Sequence, residues 1–401
     1  LPAGGQLFSL LYQNSALLET LAEILGSAPA LADRLARQPI LLDAVLDTDF
    51  YEPLPDAEQL RAELEEEFAH CRDFQDKLDA ARRWAADYRF RVGVQILRGT
   101  IEPNQASRAL SDLADAAIAL LLPAVEQQMQ EAHGRVPGAG LAVVALGRLG
   151  AREMTLTSDL DLVFVYDCDD PLYESDGPRP IAASLYFGRL AQRLIAALSA
   201  PTGEGALYEV DPRLRPSGAS GPIALSLKGY RRYLEEEAWT WELMALTRFR
   251  LVAGESNFVR RCEKTLCEVL SLERDPDQLL LAVDDMRRRI AKEYPGTSLW
   301  DIKYTPGGLY DLDFIAQYLQ LRHAAERPAV LASSSDAAFA DLAAAGLLPT
   351  DKAEMLRSAG RLWRQVQNYL RLTSGEGRDP ANAAPGLREA LARAVGTLDF
   401  A

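Results

Sequence analysis

Leu141–Asp167, LAVVALGRLGAREMTLTSDLDLVFVYD, decides how this chain folds. It opens on an apolar run, Leu141 to Leu146, of the length of a buried strand. Gly147 and Gly150 follow in a turn, and Ser158-Asp159-Leu160-Asp161-Leu162 leads into a second apolar run, Val163 to Tyr166. Side chains alternate along a strand, so Asp159 and Asp161 share one face while Leu160 and Leu162 take the other. Two adjacent carboxylates at a strand start repel and desolvate each other, which a fold tolerates when water or a hard divalent cation lies between them. The preceding turn offers backbone amides to phosphate oxygens. D-x-D triplets are common in surface turns, and Asp47-Thr48-Asp49 and Asp311-Leu312-Asp313 are two more here. The glycine turn and flanking strands set this one apart, as the layout of a metal-dependent nucleotidyl-transfer site.

Outside that stretch the composition narrows the classes. At 401 residues, 48% of them hydrophobic, the chain can bury cores for two or three domains. No apolar run approaches the roughly 20 residues of a membrane span, and no signal peptide is visible; a first residue Leu1 rather than Met reads as an internal piece of a longer protein. Acidic residues outnumber basic ones by 15, which argues against a duplex nucleic-acid partner. The three histidines are far apart, so a histidine-built zinc site is not expected. Four cysteines lack metal-type spacing, and Cys262 and Cys267 are ill placed for a disulfide, consistent with a reducing cytoplasm.

Upstream, helices are expected over Leu7–Leu25 and Leu31–Leu46, the second broken near Pro39. One long amphipathic helix is expected from Leu60 through Phe68, Cys71, Phe74 and Trp84 to Leu97, its aromatic stripe reading as core. Ser107–Met129 is the next helix, and Gly134, Pro137 and Gly138 mark a boundary. Three units result: a helical lead-in over 1–135, a catalytic unit over 136–272 and a helical bundle over 273–401. Downstream of the D-x-D strand, Ile181–Leu198 reads as a helix and Ala206–Leu214 as a strand whose Asp211 is a candidate third carboxylate. Arg213 and Arg215 beside Ser217–Gly221 suit a triphosphate, the alternative being that they neutralise the acids. Trp239 and Trp241 read as packing. Asp313 reads as an acid matched to a helix dipole. Helices over Phe314–Leu321, Asp336–Leu347 and Asp351–Leu372, a Gly/Pro loop and a short last helix complete the chain.

Four motifs in order, GRLGAREMTLTSDLDLVF, LYEVDPRLRPSG, EAWTWELMALTRFR and DIKYTPGGLYDLDF, resemble the C-terminal half of the bacterial glutamine synthetase adenylyltransferase/adenylyl-removing enzymes. The resemblance implies an α+β fold: a nucleotidyltransferase-type, polymerase-beta-like mixed sheet flanked by N-terminal helices and a C-terminal helical bundle. It implies transfer of AMP from ATP to a tyrosine of glutamine synthetase with Mg2+. The alternatives are phosphorolytic AMP removal, a small-molecule adenylyltransferase and a non-catalytic nucleotide sensor. By motif, Asp159, Asp161 and Asp211 carry over as metal-binding, catalytic carboxylates. Gly147, Gly150, Ser158, Arg213 and Arg215 are the nucleotide-side candidates. Glutamine synthetase, the PII signalling protein and glutamine as effector are the implied partners, with no membrane. Three departures stand out: Arg148 where the family usually has Lys, Thr157 for a frequent Ser or Gly, and Ala151 for a second Gly, expected to stiffen the turn.

Overall fold

A computed structural model of the chain describes residues 15–38, 41, 45, 48–168, 170, 172–296, 300–373 and 392. The start of the first expected helix, the surroundings of Pro39 and the closing Gly/Pro loop with its last helix lie outside the described residues.

The centre is a mixed sheet of β1 (Leu141–Ala145), β2 (Leu160–Tyr166), β3 (Val210–Asp211), β4 (Ala224–Ser226) and β5 (Arg250–Ala253). The order is β3-β2-β1-β5, with β4 also on β2. β1 runs antiparallel to β2 and β5, whereas β3 and β4 both run parallel to β2. Helices surround this sheet, so the class is α+β, as expected. β1 reads as an unbroken apolar run because both its faces are covered. Leu141, Val143, Leu160, Leu162 and Phe164 face the core built with the N-terminal helices, and Ala142, Val144, Val163 and Val165 face a second core built with later helices. Asp161, in phase with Val163, therefore opens toward the second side.

On the first side lie α1 (Ser15–Ser27), α2 (Pro29–Arg37), α3 (Ala57–Ala69), α4 (Phe74–Arg98) and α5 (Pro103–His133). The long helix expected from Leu60 to Leu97 is two helices. Asp73 caps α4 by accepting from the Asp76 amide, and the chain turns at residues 70–73. The apolar positions stay in phase across the break, so periodicity could not reveal it. Gly99 closes α4 in the left-handed region and Pro103 opens α5. α5 packs against α3 and against α7 (Ala183–Ser199), so the core is continuous across position 136.

After the single helical turn α6 (Gly147–Gly150), the second side carries α8 (Leu227–Glu236), α9 (Thr240–Leu246), α10 (Ser256–Leu270), α11 (Pro276–Glu293), α12 (Leu309–His323), α13 (Ser335–Ala344) and α14 (Thr350–Thr373). α14 returns to the beginning of the chain: Val366, Tyr369 and Leu372 share a core with Leu21, Ile24 and Leu31 and with Phe90 and Val94 of α4. Two expectations about strands need correction. Only Val210 and Asp211 of the Ala206–Leu214 stretch pair as a strand, since Pro212 has no amide to continue the ladder. Arg250–Ala253, not foreseen as a strand, pairs with β1.

Candidate active site

The register of β2 and β3 makes the site. Leu160 pairs with Val210 and Asp161 with Asp211, which puts two acids side by side across a parallel ladder. Asp159 stands just before β2. One carboxylate oxygen from each of Asp159, Asp161 and Asp211 lies within 4.8 Å of the others. The glycine turn closes over them: the Leu146 amide donates to the Asp161 carbonyl at 2.9 Å. Gly147 takes φ +52°, and a Cβ there would overlap the Asp161 carboxylate. Only glycine fits so close an approach. Burial pushes the Asp161 carboxyl up to about 7, and the negative charges of Asp159 and Asp211 add to that. Asp211 moves the other way, held below the usual carboxylate range chiefly by hydrogen bonding to Arg213, against its partial burial. Three carboxylates so arranged, one resisting ionisation through burial first and the charge of the others second, are a donor set suited to a hard divalent cation.

The acids line one wall of a cleft of about 510 Å³, within the size range of small-molecule sites. The opposite wall comes from the helices of the second side: Trp241 and Met244 of α9, Met286 and Ile290 of α11, Phe314 of α12. These give an apolar, ring-sized surface facing a charged one. Trp241 is 38% exposed in the cleft and Trp239 71% exposed, so neither indole is the core packing expected of it.

Between the walls runs a charge network that the motifs did not disclose. Arg248 pairs with Glu153 and, at 3.1 Å, with Asp313; Arg364 pairs with Glu153 at 2.6 Å. Ser335 donates to Asp313 at 2.5 Å. Burial opposes the charge of Arg248, but Asp313 and Glu153 outweigh it and hold its pKa above the ordinary value. Asp313 is thus an ion-pair partner rather than a dipole match; Asp311, in the first turn of α12, accepts from the Gly307 amide and pairs with Arg287. Arg248, Glu153, Asp313 and Arg364 lie far apart in sequence, and only the repeated R-x-R at 248–250 hinted at a charged seam. Arg250, its second member, binds Asp115 at 2.6 Å and so fastens β5 to α5.

The remaining candidates divide. Arg213 grips Asp211 at 2.5 Å and lines the cleft. Arg215 turns back into its own loop, donating to the Pro212 and Gly221 carbonyls at 2.5 and 3.3 Å. Ser158 is buried behind the acids, its hydroxyl accepting from the Thr155 amide at 2.9 Å. Gly150 is pressed against the Arg248 carbonyl, where a Cβ would collide. Arg148 does face the cleft, but its Nη1 is enclosed without a hydrogen-bond partner among the described residues. Burial, then the nearby Arg371 and Arg248, push its pKa down to about 10. Ala151 sits at φ −76°, a conformation open to any residue, so it does not strain the turn; Arg152 is the residue with positive φ. The Thr157 hydroxyl accepts from Arg371 at 3.1 Å.

Comparison with known proteins matches residues 18–265 to the family model described as glutamate-ammonia ligase adenylyltransferase, and residues 281–399 to one described as GlnD PII-uridylyltransferase. Among curated relatives, the bifunctional glutamine synthetase adenylyltransferase/adenylyl-removing enzyme of Bradyrhizobium diazoefficiens is 42% identical over 400 residues, covering 100% of this chain and 40% of the relative. The enzymes of the same name from Xanthobacter autotrophicus and Brucella suis are 43% and 42% identical, over 99% and 100% of this chain and again 40% of the relative. The chain spans about two fifths of the length of the curated relatives it matches.

Proposed function

Because this chain belongs to the glutamate-ammonia ligase adenylyltransferase family, we propose that it carries the adenylylating centre: Mg2+-dependent transfer of AMP from ATP to a tyrosine of glutamine synthetase. The observation that carries this reading is the meeting of Asp159, Asp161 and Asp211 within 4.8 Å at the wall of the cleft. Those three would hold the metal and are the catalytic carboxylates. Mg2+ bound there would lower the pKa of the incoming hydroxyl and neutralise the departing pyrophosphate. Asp211 would take the hydroxyl proton once Arg213 releases it, and Arg213, at the cleft mouth, would exchange Asp211 for a phosphate oxygen. The Gly147 turn would present backbone amides to the phosphates, with Gly150 and Ser158 shaping the turn and Arg215 its partner loop. Trp241, Met244 and Phe314 would shelter the base. Positioning and electrostatics would then supply most of the rate.

The PII signalling protein and glutamine are the proposed effectors, and the reducing cytoplasm the proposed compartment. The four cysteines are unbridged, and no described helix is long and apolar enough to cross a membrane. Since the relatives' names join two activities, phosphorolytic AMP removal is the competing reading, decided by looking for ADP after incubation with adenylylated glutamine synthetase and phosphate. The main test is label transfer from ATP to glutamine synthetase by the wild type and Asp161→Asn. Removing one metal-binding carboxylate should lower transfer at least about a hundredfold with the melting temperature retained. A folded variant at wild-type rate would refute the assignment.

A further inference from the structure

We propose that Arg148 and Lys303, one on each wall of the cleft, form a clamp for the β- and γ-phosphates of the nucleotide; this rests on the adenylyl-transfer reading above. Five basic side chains line the cleft: Arg148, Arg213, Arg248, Lys303 and Arg364. Arg248 and Arg364 are held by Glu153 and Asp313, and Arg213 is held by Asp211. Among the described residues, Arg148 and Lys303 have no carboxylate within ion-pair distance, and Asp159 and Asp161 have no basic group within that distance, Arg148 and Arg248 acting on Asp161 only from further off. Two acids without cations on one side call for a metal; two cations without acids call for an anion. A nucleoside triphosphate with its metal brings both.

Each cation shows why it awaits a ligand. The Nη1 of Arg148 is enclosed and, among the described residues, unsatisfied, a costly state for a charged donor unless an acceptor arrives. Lys303 lies over the rings of Tyr304 and Tyr310, 4.9 and 5.5 Å from their centroids. Those two rings stack on each other at 5.1 Å, and Tyr310 borders the cleft with Phe314. A cation seated on ring faces keeps its ammonium charge and its hydrogen-bond donors for a further partner. Arg148 comes from the turn after β1 and Lys303 from the segment before α12, so the clamp exists only where the sheet and the helical layer meet. Arg215 donates into its own loop and stays outside the clamp, and Arg213 remains on Asp211 until the exchange proposed above.

The test measures equilibrium binding to the 401-residue chain of Mg2+ with an ATP analogue methylene-bridged between its α- and β-phosphorus atoms, and separately of AMP. Lys303→Met and Arg148→Met should each weaken the analogue about tenfold or more, the scale of a lost charge-assisted contact, and leave AMP within about twofold. Lys303→Arg and Arg148→Lys should recover most of the loss. Pyrophosphate should displace the analogue from the wild type at lower concentration than from either Met variant. Equal weakening of AMP and analogue, unchanged analogue affinity, or a wild type that does not prefer the analogue to AMP would overturn the clamp. If Lys303→Met melts too early to assay, the same comparison on Arg148→Lys against Arg148→Met decides. A wild type that shows the preference yet labels no glutamine synthetase refutes the transfer reading and leaves the clamp standing.

Discussion

Asp161 concentrates the electrostatic conflict of the site. Its carboxyl ordinarily titrates near 3.8 and is pushed up to about 7, by burial first and then by Asp159 and Asp211. In the metal-free chain the folded state therefore keeps a proton that the unfolded chain releases near pH 4. The associated stability is complete below that value and is lost as pH rises through about 7. On the proposed metal reading, a divalent cation would replace the proton and reverse the trend. Mg2+ should consequently raise the melting temperature more at pH 8 than at pH 5.5, a difference read by calorimetry with and without the metal. The same rise at both pH values would mean that Asp161 does not compete for the ion. The grip of Arg213 on Asp211 supports the reading that it neutralises an acid, while its place on the cleft is what the proposed phosphate contact requires.

At the scale of elements, alternation and periodicity were informative inside units and silent at their ends. The D-x-D strand reads correctly because every second residue, from Leu160 to Phe164, meets the same apolar core. The α3–α4 break was invisible because Phe68, Cys71, Phe74 and Leu78 keep helical spacing through it; Asp73 is the one sign of it. Asp73→Ala should cost about 1 kcal/mol and lower the melting temperature by a few degrees, leaving nucleotide binding unchanged since α4 lies on the far side of the sheet from the cleft. A loss of binding with stability intact would contradict this division of the molecule. β3 shows the opposite error. A nine-residue alternating stretch pairs over only two residues, yet those two include Asp211 in register with Asp161.

At the scale of the whole molecule, the two ends of the described chain hold one another. Tyr369 on α14 is 2% exposed in a core shared with α1, α2 and α4. Tyr369→Ala should destabilise by about 3–5 kcal/mol, as for other buried aromatic truncations. Hydrogen exchange should then show α1, α2 and α14 losing protection together; loss confined to α14 would mean that the ends are independent. What the sequence determined by itself is local: the three aspartates, the glycine turn and the order of four motifs, because strand period and turn chemistry act over a few residues. What the tertiary structure alone decided is which charges find partners. Glu153 with Arg248 and Arg364, Asp313 with Arg248, and Arg148 and Lys303 with no acid among the described residues follow from distances in space between residues that sequence separation leaves unconstrained. Coulombic pairing depends on those distances and on burial, and neither is encoded in any one segment.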